Sequence, residues 1–199
     1  MSNRLFANDV LFLQRLLSCC GLYTDTLDGA YGRHTGDAEA AFDAKCQTIA
    51  QSEGAFDART EGNIRSLQLV AQPLARRSLR ALKQAGLDAR IISGTRDYEE
   101  QNALFRQGRF GNPGKKVTNA RGGQSWHNFG LAWDIGLFAN GDYVTSEAKY
   151  RQAATHGKVA GLEWGGDWRT FPDVPHYQVG AAGRTIGSAR AVFEKGGRS

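Results

Sequence analysis

Glycine is the residue that most constrains how this chain folds, because 25 of its 199 residues are glycine and they follow no fixed period. Glycine weakens helix and strand interiors and supplies the backbone conformations of tight turns. A collagen-like fibre, which needs glycine at every third position, is therefore excluded. The 41% apolar and 23% charged residues are typical of a globular chain rather than a disordered one. We expect many turns and a functional site built on loops.

Three helices are predicted in the first 70 residues. Residues 9–20 place apolar side chains on one face at helical spacing, and Gly21 is suited to end that helix. After a turn rich in Asp and Gly a second helix follows, and a third is predicted from Thr60. We therefore assign residues 1–70 to a small three-helix domain.

The rest of the chain mixes helical and strand-like patterns. Pro73 suits the first turn of a helix, and the residues at 109–124 are rich in glycine, asparagine and lysine, which predicts a surface loop. Strands are predicted at residues 88–94, 133–138 and 176–180, and further helices at 98–107 and 146–159. The predicted fold class is therefore α+β, with residues 71–199 forming a second domain that has a small, mainly antiparallel sheet and flanking helices.

Charge is distributed unevenly along the chain. Residues 1–60 hold five Lys/Arg and eight Asp/Glu, a net charge of −3. Because the whole chain has a net charge of +5, residues 61–199 carry +8. A basic region of this kind suits an anionic polymer. Because the basic residues are scattered and accompany no finger or aromatic strand motif, we expect a bacterial wall as the partner and no nucleic acid.

Neither membrane insertion nor export by a signal peptide is expected. No segment approaches the roughly 20 apolar residues that span a bilayer. The first ten residues are interrupted by Arg4, Asn8 and Asp9 before an apolar segment forms. Three cysteines, an odd count without CxxC spacing, favour reduced core thiols and hence synthesis in a reducing cytoplasm.

Two of the four histidines, His127 and His176, lie in segments of unusual composition. On a continuous helix, the seven residues from His127 to Asp134 would separate their Cα atoms by about 10.5 Å. Gly130 lets the chain turn, so that a loop histidine and a strand carboxylate can converge on one zinc ion. His176 supplies a third ligand and leaves the fourth position to water, as in catalytic zinc sites.

Asp173 is predicted to be the general base of this site. Pro175 keeps Val174 extended, so that Asp173 lies beside the metal ligands. A carboxylate at that place accepts a proton from water whose pKa the zinc ion lowers. Taken alone, each histidine has a structural role in the core as its alternative.

Four sequence blocks carry a family resemblance. Residues 125–134 read SWHNFGLAWD, and residues 173–176 read DVPH. Residues 93–101 read SGTRDYEEQ, and residues 164–168 read WGGDW. The first three of these blocks resemble the motifs SxHxxGxAxD, acidic-x-x-His and SGxR-x-x-x-x-Q of the zinc peptidase family that contains D-Ala-D-Ala carboxypeptidases and phage L-alanyl-D-glutamate endopeptidases. The fourth resembles the loop that precedes the last motif in that family, and along the chain all four blocks occur in the family's order. The Asp-x-Pro-His form is closer to the phage-type endopeptidases than to the dipeptidases.

The resemblance implies a metal-ligand set and two catalytic residues. The implied ligands of the single zinc ion are His127, Asp134 and His176, and the implied catalytic residues are Asp173 and Arg96. The fixed charge of Arg96 would stabilise the oxyanion that forms on the attacked peptide carbonyl. Its alternative is an ordinary surface ion pair with a neighbouring carboxylate.

Substrate-binding roles are implied for four further residues. Ser125 and Gln101 would orient a ligand or the substrate backbone, and their alternative is a bond to local amides. Trp164 and Trp168 would wall the cleft, and their alternative is core packing.

The N-terminal segment carries a second resemblance. Residues 10–42 are similar to a three-helix peptidoglycan-binding module with the pattern LQ…L…G…DGxxGxxT…AxxxF. Phe42-Asp43 replaces the Phe-Gln that is frequent in that module. A binding module beside a hydrolase would raise the local enzyme concentration at a solid polymer.

The expected function is that of a zinc peptidase that cuts peptidoglycan stem peptides at the L-Ala–D-Glu bond. Two alternatives stay open: a D-Ala-D-Ala carboxypeptidase or dipeptidase, and a wall-binding zinc domain without turnover. A wall hydrolase without a signal peptide needs a membrane lesion or a holin-like pore. We therefore expect synthesis in the cytoplasm of a bacterium or a phage-infected cell, and action in the periplasm and wall after release, in lysis or in protein secretion.

Overall fold

The structure is a computed structural model that describes residues 7–197. Residues 1–6, on which part of the signal-peptide prediction depends, lie outside the described residues. Helices are followed by a small antiparallel sheet with helices around it, so the predicted α+β class is confirmed. The helices are α1 (Ala7–Cys19), α2 (Arg33–Glu53), α3 (Ala58–Arg65), α4 (Ala71–Gln84), α5 (Tyr98–Arg106), α6 (Glu147–Gly157) and α7 (Ile186–Glu194), and the strands are β1 (Asp88–Ser93), β2 (Ala132–Ala139), β3 (Asp142–Tyr143), β4 (Leu162–Trp164) and β5 (His176–Val179).

The predicted helices are present with small differences at their ends, among them the start of α3, and helix α7 was not predicted. Helix α1 ends two residues before Gly21, whose φ of +72° is in the left-handed region that favours glycine. Helix α3 begins at Ala58, and its cap is Asp57 rather than Thr60. The Asp57 carboxylate accepts the backbone N–H of Thr60, so Thr60 lies inside the first turn. The Asp57 carboxylate, three residues upstream of Thr60, thus accepts an N–H group that has no partner within the helix.

The sheet has the strand order β1-β2-β5-β4, with β3 paired to β2, and every pairing is antiparallel. All three predicted strands are present. The two-residue β3 and three-residue β4 were not predicted, because such short strands leave no alternation pattern in the sequence.

Two compact units are defined by the contacts between residues. Among the described residues, the first contains residues 7–44, 96–130 and 183–197, and the second contains Lys45–Thr95 and Leu131–Ala182. A cluster of aromatic rings lies in the core of the first unit, where the Phe193 ring is 5.2 Å from that of Phe12 and 5.5 Å from that of Phe129.

The core of the second unit lies against the sheet. Its fully buried side chains come from both the helices and the strands: Leu79, Leu82, Ile91, Trp133, Ile135 and Tyr177. The division of the chain into independent domains at residue 70 stays a prediction, because contacts do not measure whether a segment folds alone. Within residues 7–197, no helix combines the length and apolar character required to cross a bilayer.

Candidate metal centre

His127 is held on a short capped turn immediately before the central strand. The 3₁₀ turn Trp126–Phe129 begins at Ser125, whose Oγ accepts the His127 N–H at 3.4 Å. It ends at Gly130, where φ is +67° and ψ is +27°. This left-handed conformation, which glycine adopts without strain, turns the chain into β2. The predicted role of Gly130 as the turning point is therefore confirmed.

The register of the sheet brings Asp134 and His176 together. These two residues are direct partners in the antiparallel pair of β2 and β5. Opposite residues of such a pair project their side chains from the same face. The His176 Nδ1 atom lies 3.3 Å from the Asp134 Oδ1 atom.

Together with His127 these side chains form a group that fits one metal ion. Each of His127, Asp134 and His176 offers one ligand atom, and the ligand atoms lie within 4.8 Å of one another. Ligand atoms about 2.1 Å from a tetrahedral zinc ion are about 3.4 Å apart. The separation of 3.3 Å between His176 and Asp134 meets this requirement, and the His127 donor lies within 4.8 Å of both.

The electrostatic environment of the group favours a positive charge. Burial opposes the protonation of His176, but the hydrogen bond and charge of Asp134 outweigh it and raise the pKa of His176 above its ordinary value. His127 is 2% exposed and His176 is 4% exposed. A carboxylate between two buried imidazoles thus attracts a cation, either a proton or a metal ion.

Two residues that were not predicted hold the orientation of His176. The Gln178 Oε1 atom accepts the His176 Nε2–H at 3.0 Å, and the Gln178 amide donates to Glu163 Oε2 at 2.8 Å. With Nε2–H bound to Gln178, the Nδ1 atom faces Asp134, where it either donates a proton to that carboxylate or offers its lone pair to a metal ion. The sequence contained one signal for this bond, since residues two apart on a strand share a face.

Asp173 lies at the approach to β5, half-buried and close enough to His176 for its charge to raise the pKa of that histidine. Its backbone N–H donates to the Gly165 oxygen at 3.0 Å, and its backbone oxygen accepts from His176 N at 3.2 Å. A methyl group at Gly165 would overlap the Asp173 backbone oxygen. Glycine at this position therefore permits the close approach of the two loops.

Arg96 is tied to the His127 turn through its backbone. Its N–H donates to the His127 oxygen at 3.2 Å, and its carbonyl accepts from the Asn128 amide at 2.9 Å. Its Nη1 donates to the Oε1 atom of Gln101 at 3.1 Å. Gln101 is completely buried, and its own amide donates to the Ala120 oxygen at 3.0 Å. Arg96 is thus fixed by a buried amide.

The two tryptophans of the fourth block have different surroundings. Trp164 is 5% exposed and donates its indole N–H to the Val174 oxygen at 2.8 Å. The half-buried Trp168 ring lies 4.9 Å from the His176 ring, at an angle of 48°. Trp168 therefore packs on a metal-ligand candidate. The catalytic roles of Asp173 and Arg96 and the substrate-binding roles of Ser125, Gln101, Trp164 and Trp168 stay predictions.

The fold and the site define a class of protein. Two histidines and one aspartate, presented by a turn and two adjacent strands, are the donor set of metal-dependent hydrolases that keep one coordination position open. An M15 peptidase family model, described as D-alanyl-D-alanine carboxypeptidase, matches residues 118–179. This region contains all three metal-ligand candidates.

Three related proteins match a larger part of the chain. The peptidoglycan L-alanyl-D-glutamate endopeptidase CwlK of Bacillus subtilis (strain 168) is 36% identical over 121 residues, which are 54% of this chain and 72% of CwlK. The L-alanyl-D-glutamate peptidase of Listeria phage A118 is 30% identical over 132 residues, which are 64% of this chain and 43% of that peptidase. The crystal structure of Serratia marcescens L-Ala D-Glu endopeptidase ChiX superimposes with a TM-score of 0.51 and 26% identity, covering 63% of this chain and 90% of ChiX.

The chain belongs to the M15 peptidase family. The resemblance predicted from the four sequence blocks is therefore confirmed. The similarity of residues 10–42 to a peptidoglycan-binding module stays a prediction, because the matched family region begins at residue 118.

Proposed function

We propose that this protein is a zinc-dependent endopeptidase that hydrolyses the L-alanyl-D-glutamate bond of peptidoglycan stem peptides. The observation that carries the proposal is the convergence of His127, Asp134 and His176 within 4.8 Å in a chain 36% identical to an L-alanyl-D-glutamate endopeptidase. That relative, CwlK, is a peptidoglycan L-alanyl-D-glutamate endopeptidase, which supports peptidoglycan as the substrate.

Each residue of the site has a separate task in the proposed hydrolysis. His127, Asp134 and His176 would hold the zinc ion, which would supply Lewis-acid chemistry toward the peptide carbonyl and the attacking water. Asp173 removes the proton of the attacking water and returns it to the departing amine of the glutamate. Arg96 places its fixed charge beside the carbonyl oxygen as that oxygen becomes negative. Gln178 keeps the His176 ring in the tautomer that binds metal.

Two variants separate metal binding from proton transfer. Asp173→Asn keeps the shape of the side chain and is expected to retain zinc while losing nearly all turnover. His127→Ala is expected to lose both zinc and turnover. Metal content and release of peptide from purified sacculi are measured side by side, and Asp142→Asn, on the exposed strand β3, is the matched control. Full activity of Asp173→Asn would remove Asp173 as the base.

A D-Ala-D-Ala carboxypeptidase is the second candidate, since the matching family model carries that description. Fragment masses after digestion of purified wall distinguish the two bonds. Cleavage after L-Ala releases the stem peptide from D-Glu onward, whereas carboxypeptidase action releases only D-Ala. Retention on sacculi without any released peptide would instead support a wall-binding domain without turnover.

We also propose where the protein acts. Peptidoglycan lies outside the cytoplasmic membrane, so a chain made in the cytoplasm must cross that membrane before it reaches the substrate. A holin-like pore is the proposed route, used for lysis or for release of other proteins through the wall. Cell fractionation with and without such a pore tests this route, and delivery to the periplasm without a pore would contradict it.

A further inference from the structure

The segment that leads into the His127 turn is strongly basic. We call residues 106–121 the basic loop, and no Asp or Glu occurs from residue 101 to residue 133. Among residues 7–197, none of the basic side chains in this loop takes part in an ion pair. The basic side chains are Arg106, Arg109, Lys115, Lys116 and Arg121. Five positive charges thus lie in this segment, from the end of α5 onward, and no carboxylate among residues 7–197 forms an ion pair with them.

The basic loop is held in a defined conformation by Arg109. The Arg109 Nη1 atom donates to the Phe105 oxygen at 2.7 Å and to the Thr118 oxygen at 2.9 Å. These bonds connect the two sides of the loop. The guanidinium groups of Arg109 and Arg121 lie 4.3 Å and 4.9 Å from the centroid of the Phe105 ring. The Arg121 charge is therefore positioned by stacking, although its side chain is exposed.

One buried amide connects the basic loop with Arg96. Gln101 accepts a hydrogen bond from Arg96 at 3.1 Å and donates to the Ala120 oxygen, next to Arg121, at 3.0 Å. Four residues after Arg121, Ser125 caps the turn that carries His127. The loop backbone beside Arg121 and the side chain of Arg96 are thus joined through Gln101.

The proposed substrate carries a negative charge next to the bond that is cut. Whichever carboxyl group of the glutamate continues the stem peptide, the other remains free and ionised at neutral pH. Resting on the proposed function, we propose that the basic loop binds this free carboxylate, with Arg121 as its principal contact. A guanidinium matches a carboxylate through two parallel N–H bonds. The loop therefore selects glutamate over its amidated form.

The test compares two soluble muropeptides that differ only in this group. One carries the free glutamate carboxylate and the other carries the amide in its place. Wild-type protein is expected to show a KM about tenfold lower for the carboxylate form, which corresponds to one charged hydrogen bond. Arg121→Gln is expected to raise the KM for the carboxylate form about tenfold, to leave kcat within about twofold, and to leave the amidated form unaffected.

Arg90→Gln is the matched control, because Arg90 is also an arginine stacked on a phenylalanine, 4.4 Å from the centroid of the Phe138 ring on the second unit. It is expected to leave both KM values unchanged. The double variant Lys115→Gln/Lys116→Gln, in the exposed part of the basic loop, repeats the test if Arg121→Gln fails to fold, and it is expected to reduce the preference at least threefold.

The outcomes separate this proposal from the proposed function. Cleavage of both muropeptides with equal KM by wild type and variants overturns the carboxylate-binding role and leaves the endopeptidase intact. Cleavage of neither muropeptide by the zinc-loaded wild type overturns both proposals. The variants could also bind whole sacculi less well while their KM for the soluble muropeptides stays unchanged. That result would mean that the loop binds another anionic wall polymer, and it too overturns the proposal.

Discussion

Replacing Gln178 by leucine tests whether the metal centre depends on the orientation of His176. Gln178 is 3% exposed. It accepts a hydrogen bond from His176 Nε2–H and donates one to Glu163 Oε2. Leucine has a similar volume but neither accepts nor donates, so the imidazole N–H and the Glu163 oxygen both lose their partner. The Nδ1 atom of His176 is then no longer held toward Asp134.

The size of the effect follows from these two bonds. Leaving a buried polar group without its partner costs about 1–3 kcal/mol. Because Glu163 is half-buried and water can reach part of it, we expect a total loss of about 2–4 kcal/mol in the free energy of unfolding of the metal-free protein. For a chain of this length, that is a fall in Tm of about 4–16 °C. Loss of a partner that orients a metal-binding histidine reduces metal affinity about 10- to 100-fold.

The assay is competition for zinc against a chromophoric chelator, accompanied by thermal unfolding with and without zinc. Gln152→Leu, an exposed position on α6, is the control for the amide-to-leucine change itself. The exchange variant Gln178→Glu with Glu163→Gln restores both bonds with the carboxylate and amide reversed. We expect it to recover zinc affinity to within a few-fold of wild type. Wild-type zinc affinity in Gln178→Leu would refute the proposed dependence.

Two further variants test the placement of the base and the stability of the second unit. Gly165→Ala is expected to displace the Asp173 backbone, whose oxygen its methyl group would overlap, and to press on the Cβ atom of His176 at 3.0 Å, so kcat falls at least tenfold and zinc affinity falls with it; unchanged kcat and zinc affinity would contradict this close approach of the two loops. Glu61 pairs with buried Arg76 at 2.7 Å, and although burial opposes its ionisation, the Arg76 hydrogen bonds hold the pKa of Glu61 below its ordinary value. The resulting stability is present above about pH 4.3 and is lost as the pH falls through the lower folded-state pKa. Glu61→Gln is expected to lower the free energy of unfolding by about 2 kcal/mol at pH 7 and to flatten its pH dependence below pH 4, as measured by urea unfolding.

Local patterns predicted the elements that carry the site. The strand predicted at 176–180 is β5, and the helix predicted at 98–107 is α5, because each has a clear periodicity and a recognisable start. Asp97 caps α5 through the Glu100 N–H, a bond between residues three apart that depends on no distant contact. The three metal-ligand candidates were also predicted, chiefly from the family resemblance of their motifs, and Gly130 was predicted as the turn that lets them converge.

The features that were missed arise from contacts between distant parts of the chain. The cap of α3 is a local exception, since it is Asp57 instead of the predicted Thr60. The bond from Gln178 to Glu163, by contrast, joins residues that are 15 apart, on β5 and β4. Gln101 was predicted as a substrate contact with bonds to local amides as the alternative; the structure shows bonds that hold Arg96 and the basic loop, and the substrate-binding role stays a prediction. A pattern of single residues does not reveal which partner a buried amide will find.

The sequence by itself determined the chemical types at the site: two imidazoles, one metal-binding carboxylate and a glycine that allows the chain to turn between them. Only the tertiary structure decided that Asp134 and His176 are direct partners. Their pairing depends on the register between β2 and β5, two strands that are far apart in the sequence. A shift of one residue would direct the two side chains to opposite faces and remove the metal site, although every residue of the motif would still be present.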